Sequence, residues 1–169
     1  MRYTADDLVI TKWGARFMVE EYPCAIGRGG IGEKQGEGDG ITPKGIFRLL
    51  EVRYRPDRID LGQLTIDSVP ILPGDIWSDD PKDPNYNHPA KSFSYPFSHE
   101  KMRRSDPLYD AVGILDFNYP DTEPGKGSAI FLHIWRKPGH PTEGCVAFAR
   151  HDFFDILQHW KASSRVIIK

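Results

Sequence analysis

"SAIFLHIWRKPGHPTEGCVAF" (residues 128–148) places a histidine and a cysteine in two neighbouring apolar runs. His133 lies near the end of the first run, and Cys145 stands behind a glycine and ahead of the second. Cys145 is one of only 2 cysteines in the chain. From spacing alone, it is a buried structural thiol, a metal ligand, or a nucleophile with His133 as its base.

Similar short apolar runs recur along the chain and predict strands, and the 16 glycines and 14 prolines favour turns between them. The predicted strands are "LVIT" (8–11), "RFMVE" (16–20), "GIFRLLEVRY" (45–54), "QLTIDSVPIL" (63–72), "AVGILDFNY" (111–119), "SAIFLHIW" (128–135) and "SRVIIK" (164–169). The spacing of Phe153, Ile156, Leu157 and Trp160 predicts one helix over 152–160. The sequence therefore predicts one mainly β domain over residues 1–169.

Residues 73–110 form the least regular part of the chain, rich in Pro, Asp and Asn but also in aromatic residues. Because disordered linkers lack aromatics, we predict an ordered loop excursion packed on the domain. Such loops often serve as lids or binding walls. The polar residues in or beside it that are candidates to line a substrate groove are His88, His99, Glu100, Arg103, Tyr109 and Asn118.

Composition excludes several classes of function. The formal net charge is −2, which gives no basic field for nucleic acid. "GRGGIG" (27–32) has the glycines of a dinucleotide loop, but no helix can follow it, so we expect no nucleotide site.

No apolar stretch reaches the roughly 20 residues of a membrane span. Asp6 and Asp7 lie where a signal peptide needs apolar residues, so a cytoplasmic location stays open.

Metal and serine chemistry are also disfavoured. The spacing of His133, His140 and Cys145 fits no compact zinc pattern, and "SDDPKDP" (78–84) lacks the order of a calcium loop. We interpret Asp79 and Asp80 as a solvated turn. No G-x-S-x-G elbow is present. The sequence therefore predicts neither a metal nor another cofactor.

Thiol chemistry is the remaining interpretation. A cysteine reacts as the thiolate, which a histidine on a neighbouring strand can help to form. Gly144 removes a side chain beside the thiol, and the N–H groups of Gly144 and Cys145 are candidates to face an oxyanion. Thr142 and Glu143 would position this corner. On spacing alone, a buried inert thiol remains an equal alternative. Cys24, in an apolar context, is interpreted as a small buried hydrophobe.

Two segments together resemble the L,D-transpeptidase catalytic domain, or YkuD-like family. "GDGITPKGIF" (38–47) resembles its T-P-x-G-x-F stretch. "FLHIW" (131–135) followed by "PTEGCVAF" (141–148) resembles its closing motif, a histidine after an apolar strand and then [ST]-x-G-C. The segments occur in family order, the resemblance spans about residues 7–169, and the long insertion resembles the stand-alone subgroup.

The resemblance implies a mainly β sandwich or barrel-like sheet with a helix against it. It also implies acyl transfer on peptidoglycan stem peptides in the periplasm or cell envelope, with Cys145 as nucleophile and His133 as base, oriented by a nearby backbone carbonyl. The alternatives are an L,D-carboxypeptidase or endopeptidase, another cysteine amide hydrolase, or a non-catalytic peptidoglycan-binding module.

The chain departs from the family motif near the cysteine. Glu143 stands where the family has a histidine, Ala147 replaces a polar residue, and the interval from His133 to Cys145 is shorter than usual. Glu143 would either raise the pKa of Cys145 or His133, or hold an amine acceptor. The residues expected to bind substrate are Thr142, Glu143, His99, Tyr109 and Asn118.

Overall fold

A computed structural model describes residues 3–169 of the chain. In chain order, they form β1 Leu8–Thr11, β2 Gly14–Phe17, β3 Glu20–Tyr22, β4 Cys24–Ala25, β5 Ile31–Gly32, β6 Thr42–Pro43, β7 Gly45–Phe47, β8 Leu49–Tyr54, β9 Ser68–Pro70, β10 Asp75–Ser78, β11 Pro89–Lys91, β12 His99–Lys101, β13 Ala111–Leu115, β14 Phe131–Ile134, β15 Val146–Phe148, α1 Arg150–Gln158 and β16 Val166–Ile168. The fold is mainly β, as predicted, and α1 is its one α-helix within this range.

Two large sheets share one hydrophobic core. The five-stranded sheet has the order β3-β2-β1-β16-β7, and the six-stranded sheet has the order β4-β15-β14-β13-β8-β9. Alternate residues of β14 and β15, together with the apolar face of α1, enter this core: Leu132, Ile134, Val146, Phe148, Phe153, Ile156 and Leu157. Because side chains alternate along a strand, the intervening residues of β14 and β15 point to the opposite face of the six-stranded sheet.

That opposite face is covered by the loop excursion. Residues 73–110, the least regular part of the sequence, contain a small sheet of order β11-β10-β12. Trp77 and Met102 of the excursion pack against Val112 and Phe131 of the large sheet in a second apolar cluster. The central strands β13, β14 and β15 are therefore buried on both faces.

An asparagine joins the excursion to the loop before β14. Asn87 Oδ1 accepts hydrogen bonds from Trp77 Nε1 at 2.9 Å and from the Ala129 N–H at 3.0 Å. Asn87 Nδ2 donates to the Asn118 carbonyl. Because Asn87 is buried, these bonds satisfy polar groups that would otherwise be costly to bury.

Several predicted strands differ from the observed ones. The predicted 45–54 strand divides into β7 and β8, which belong to different sheets. "RFMVE" divides into β2 and β3, because Met18 turns the chain with a φ of 54°. Only Ser68–Pro70 of the predicted 63–72 strand is regular, because it pairs with the edge of β8 over three residues. Over residues 3–169, no helix has both the length and the apolar character needed to span a membrane.

The packing of Leu132 predicts a large cost for shortening its side chain. Leu132 is 0% exposed, so we expect Leu132→Ala to lower the free energy of unfolding by about 2–5 kcal/mol. Urea unfolding measures this loss. Leu72→Ala is the control, because Leu72 is 42% exposed and its truncation should change stability by less than about 0.5 kcal/mol. Equal effects would contradict this placement of β14.

Candidate active site

The parallel pairing of β14 with β15 brings His133 and Cys145 to one face of the six-stranded sheet. In this register Leu132 pairs with Val146, and His133 pairs with Ala147. Cys145, one residue before β15, receives a hydrogen bond to Sγ from the Phe131 N–H at 3.4 Å. Cys145 and His133 both line a cavity of about 410 Å³ between the large sheet and the excursion.

The two sequence segments that carried the resemblance meet at the Cys145 backbone. The Cys145 carbonyl accepts hydrogen bonds from Thr142 Oγ1 at 2.6 Å and from Thr42 Oγ1 at 3.5 Å. Thr142 Oγ1 also accepts the Gly144 N–H at 3.1 Å. Thr142 therefore holds the turn that presents Cys145, and the Gly144 N–H is bonded within that turn.

Gly144 is required by both its backbone conformation and its surroundings. Its φ is +141°, a region that other residues rarely adopt, and a Cβ there would lie 3.0 Å from the Ile41 carbonyl oxygen. The backbone at Ile41 thus occupies the space that a side chain at residue 144 would need.

His133 is oriented as a neutral base. Its Nδ1 lies 2.8 Å from the Ile134 carbonyl oxygen, which can only accept, so Nδ1 carries the proton. Nε2 is then the basic nitrogen. Burial lowers the pKa of His133 to about 4, so the ring is neutral at neutral pH. The nearby backbone carbonyl expected from the resemblance is therefore present.

Cys145 is a neutral thiol in the resting site. Its Sγ–H donates to the Ala129 carbonyl at 3.1 Å, and Ala129 holds the left-handed φ of 52°. Burial raises the pKa of Cys145 to about 12, and the Glu100 carboxylate raises it further, while the Phe131 N–H and the Lys34 ammonium oppose this rise. The structure thus places an uncharged thiol and an uncharged imidazole in one cavity.

A buried cation lies behind the Cys145 turn. Lys34 is 4% exposed at its side chain, and its Nζ pairs with Asp39 Oδ1 at 2.6 Å. A Cβ built on Gly144 would lie 3.6 Å from Lys34 Nζ. Although burial opposes ionisation of Asp39, hydrogen bonds from Lys34 and two backbone N–H groups lower its pKa to about 2. The glycine-rich loop therefore places a lysine, paired with Asp39, beside the Cys145 turn.

The excursion supplies an opposing, partly acidic wall. The Tyr109 ring packs edge-on against His133, with centroids 5.5 Å apart, and its hydroxyl donates to Glu100 Oε2 at 3.5 Å. Burial and the nearby Asp79 raise the pKa of Glu100. Arg104 stacks on the other side of Tyr109, 5.1 Å from the ring centroid.

The residues expected to bind substrate do not all lie at the same cavity. Thr142, Glu143 and Tyr109 line the cavity with Cys145. His99 lines a different cavity beside Tyr95, and Asn118 Nδ2 donates to the Glu123 and Gly127 carbonyls of its own loop. Neither His99 nor Asn118 reaches the thiol cavity.

Glu143 lies at the exposed rim of the cavity and pairs with Arg28 at 2.8 Å. The carboxylate that acts on the pKa of Cys145 is Glu100, rather than Glu143. The structure therefore does not support an effect of Glu143 on the pKa of Cys145.

Several cavity residues were not identified from the sequence. Asp79, interpreted as part of a solvated turn, lines the cavity and has a buried Oδ1. Ser128 also lines the cavity, and Lys34 lies behind it. These residues reach the site through pairings between distant segments, so no local spacing could have indicated them. Cys24 packs against the main core as expected.

The buried neutral state of His133 predicts a pH dependence of stability. The ordinary pKa of 6.5 applies to the unfolded chain, whereas the folded pKa is about 4. As the pH falls between these values, only the unfolded state gains a proton, and stability falls by up to about 1.4 kcal/mol per pH unit from this residue. We expect His133→Gln to lose that part of the slope in urea unfolding at a series of pH values.

His151→Gln is the matched control for the loss of a histidine, because the His151 side chain is 85% exposed, and the stabilities of the two variants are compared at each pH. An unaltered slope in His133→Gln would contradict the neutral buried state.

The comparisons with known proteins agree with this geometry. The family model described as YkuD, L,D-transpeptidase catalytic domain, matches residues 8–168. No curated protein and no solved structure matches the chain. The matched range contains both segments that meet at Cys145 and nearly all of the chain. The chain therefore belongs to the YkuD family of L,D-transpeptidase catalytic domains.

Proposed function

We propose that this protein is a cysteine acyltransferase acting on peptidoglycan stem peptides, with Cys145 as nucleophile and His133 as base. The observation that carries the proposal is the placement of Cys145 and His133 on one sheet face, lining one cavity. Family membership supports catalysis and a peptidoglycan substrate. The cell envelope is the expected place of action.

The first half-reaction forms a thioester. His133 Nε2 takes the Cys145 proton as Sγ attacks the amide carbonyl carbon at the L-centre of the diamino acid that precedes a terminal D-amino acid. The C–N bond then breaks, and His133 returns the proton to the leaving amine. Because thiol and imidazole are both neutral at rest, the charge separation occurs only with substrate in place.

The oxyanion is the step most sensitive to geometry. The Cys145 N–H is the candidate donor from the nucleophile turn, and the Gly144 N–H would have to exchange its bond with Thr142 for one to the oxyanion. One such donor is worth about 3 kcal/mol of barrier. Lys34, behind the turn, adds a positive charge that favours the anionic intermediate.

The fate of the thioester decides between transferase and hydrolase. An amine from a second stem would attack the thioester carbonyl, form an amide and release the thiol as a cross-link. Water would instead release a carboxylic acid, which is the carboxypeptidase or endopeptidase outcome. Product masses from a stem peptide, with and without an acceptor amine, distinguish these reactions.

A β-lactam tests the nucleophile directly, because opening its strained amide leaves an acyl group on the attacking thiol. We expect a carbapenem to add its mass to the wild-type protein and to Cys24→Ala, but not to Cys145→Ala. Cys24 is the matched control, because burial raises the pKa of its thiol to about 12 as well. Intact-protein mass spectrometry measures the adduct.

His133→Gln should slow acylation by about 10²-fold or more, the usual contribution of a general base. A carbapenem adduct that survives in Cys145→Ala would refute the assignment of the nucleophile. The absence of any adduct, together with the absence of stem-peptide turnover, would favour a non-catalytic peptidoglycan-binding module.

A further inference from the structure

The part of the excursion wall formed by Asp79 and Glu100, together with Ser128 from the loop before β14, has more hydrogen-bond acceptors than donors, since Glu100 receives only the Tyr109 hydroxyl at 3.5 Å. We call these three residues the acceptor wall; all three line the cavity that contains Cys145. Asp79 Oδ1 and Ser128 Oγ are buried and have no hydrogen-bond partner within residues 3–169. Buried polar atoms are rarely left unpaired in folded proteins, so both atoms point to a ligand.

Ser128 is the stronger of these two indications. Its side chain belongs to a residue that is only 6% exposed. Ser128 Oγ lies near the Tyr86 hydroxyl, which donates to Glu37 and accepts the Gly127 N–H. Even where the Ser128 proton turns towards Tyr86, the Ser128 oxygen keeps its acceptor lone pairs at the cavity wall. Ser128 is also next to Ala129, whose carbonyl accepts the Cys145 thiol.

The two carboxylates of the wall are not neutralised by the cations around them. Arg104 is committed to Asp106 through two hydrogen bonds of 2.8 and 2.7 Å, and it approaches Glu100 only to 4.0 Å. Asp79 and Glu100 are close enough for Asp79 to raise the pKa of Glu100. A ligand that brings positive charge and N–H donors would relieve this repulsion and satisfy the orphaned acceptors.

We propose that Asp79, Glu100 and Ser128 form a subsite beside Cys145 that binds a primary ammonium group of the substrate. An ammonium has three N–H donors and no acceptor, which matches two carboxylates and a hydroxyl. Among residues 3–169, no three His, Cys, Asp or Glu side chains converge as metal ligands, so an organic cation fits the wall better. The subsite deepens the proposed function and rests on it for the identity of the substrate.

Cysteine-directed reagents test the subsite without requiring peptidoglycan chemistry. In a Cys24→Ala background, Cys145 is treated with 2-aminoethyl methanethiosulfonate, which carries an ammonium, or with its neutral 2-hydroxyethyl analogue. The thiolate attacks the sulfenyl sulfur, a mixed disulfide forms and methanesulfinate leaves. A change in the pKa of Cys145 alters both rates by the same factor, because both reagents react with the same thiolate. The ratio of the two rates is therefore unaffected by it.

We expect the ratio of the ammonium-reagent rate to the neutral-reagent rate to be about tenfold higher for Cys145 than for a small free thiol, as a charged hydrogen-bonded contact implies. Asp79→Asn and Glu100→Gln should each reduce this preference by about fivefold or more. Asp80→Asn is the matched control, because Asp80 carries the same charge but does not line the cavity.

An equal loss in Asp80→Asn, or no loss in Asp79→Asn, would overturn the subsite. Failure of both reagents to modify Cys145 would overturn it as well, since the cavity would then not admit such a ligand. These outcomes are independent of the proposed function, which fails only if carbapenem and stem peptide leave Cys145 unacylated.

Stem peptides then identify which partner brings the ammonium. If the donor stem peptide carries the ammonium, acetylation of its side-chain amine will slow thioester formation. Asp79→Asn will then remove the difference in rate between the acetylated and the free donor. If the acceptor brings it, thioester formation will be unchanged, and Asp79→Asn will raise the acceptor concentration needed for half-maximal transfer. No effect on either step would refute a role for the wall in substrate binding.

Discussion

The parallel pairing of β14 with β15 is the constraint on which the rest of the structure depends. Each strand carries core residues on one face and site residues on the other, so a slip of one residue would exchange Leu132 with His133. The buried face fixes the register because Leu132 and Val146 have no alternative place in the core. The geometry of the candidate catalytic pair is thus set by apolar packing.

The same constraint explains the loop excursion. Phe131 lies on the same face of β14 as His133 and would be exposed to water unless another layer covered it. The three-stranded sheet of residues 73–110 provides that layer through Trp77 and Met102. It leaves a cavity over Cys145 where the cover becomes polar, at Glu100 and Tyr109.

The sequence predicted the secondary structure of this protein better than the contacts between its distant segments. Apolar runs and the periodicity of Phe153, Ile156 and Leu157 predicted the helix and most strands of the two large sheets, because local chemistry favours these elements. The family motif predicted His133 and Cys145 as a pair, and the structure places both at one cavity. Lys34 and Asp79 were not predicted, because each reaches the site through pairing between segments far apart in the chain. Asn118 was placed wrongly at the site, since its side chain bonds its own loop.

The burial of the Cys145 thiol also bears on its chemical lifetime. Peroxide oxidises the thiolate, and a cysteine with a pKa of about 12 contains very little thiolate at neutral pH. The hydrogen bond to Ala129 further ties up the S–H group. A thiol that stays protonated in this way is shielded from oxidants, so the same buried environment that suppresses its ionisation also preserves it.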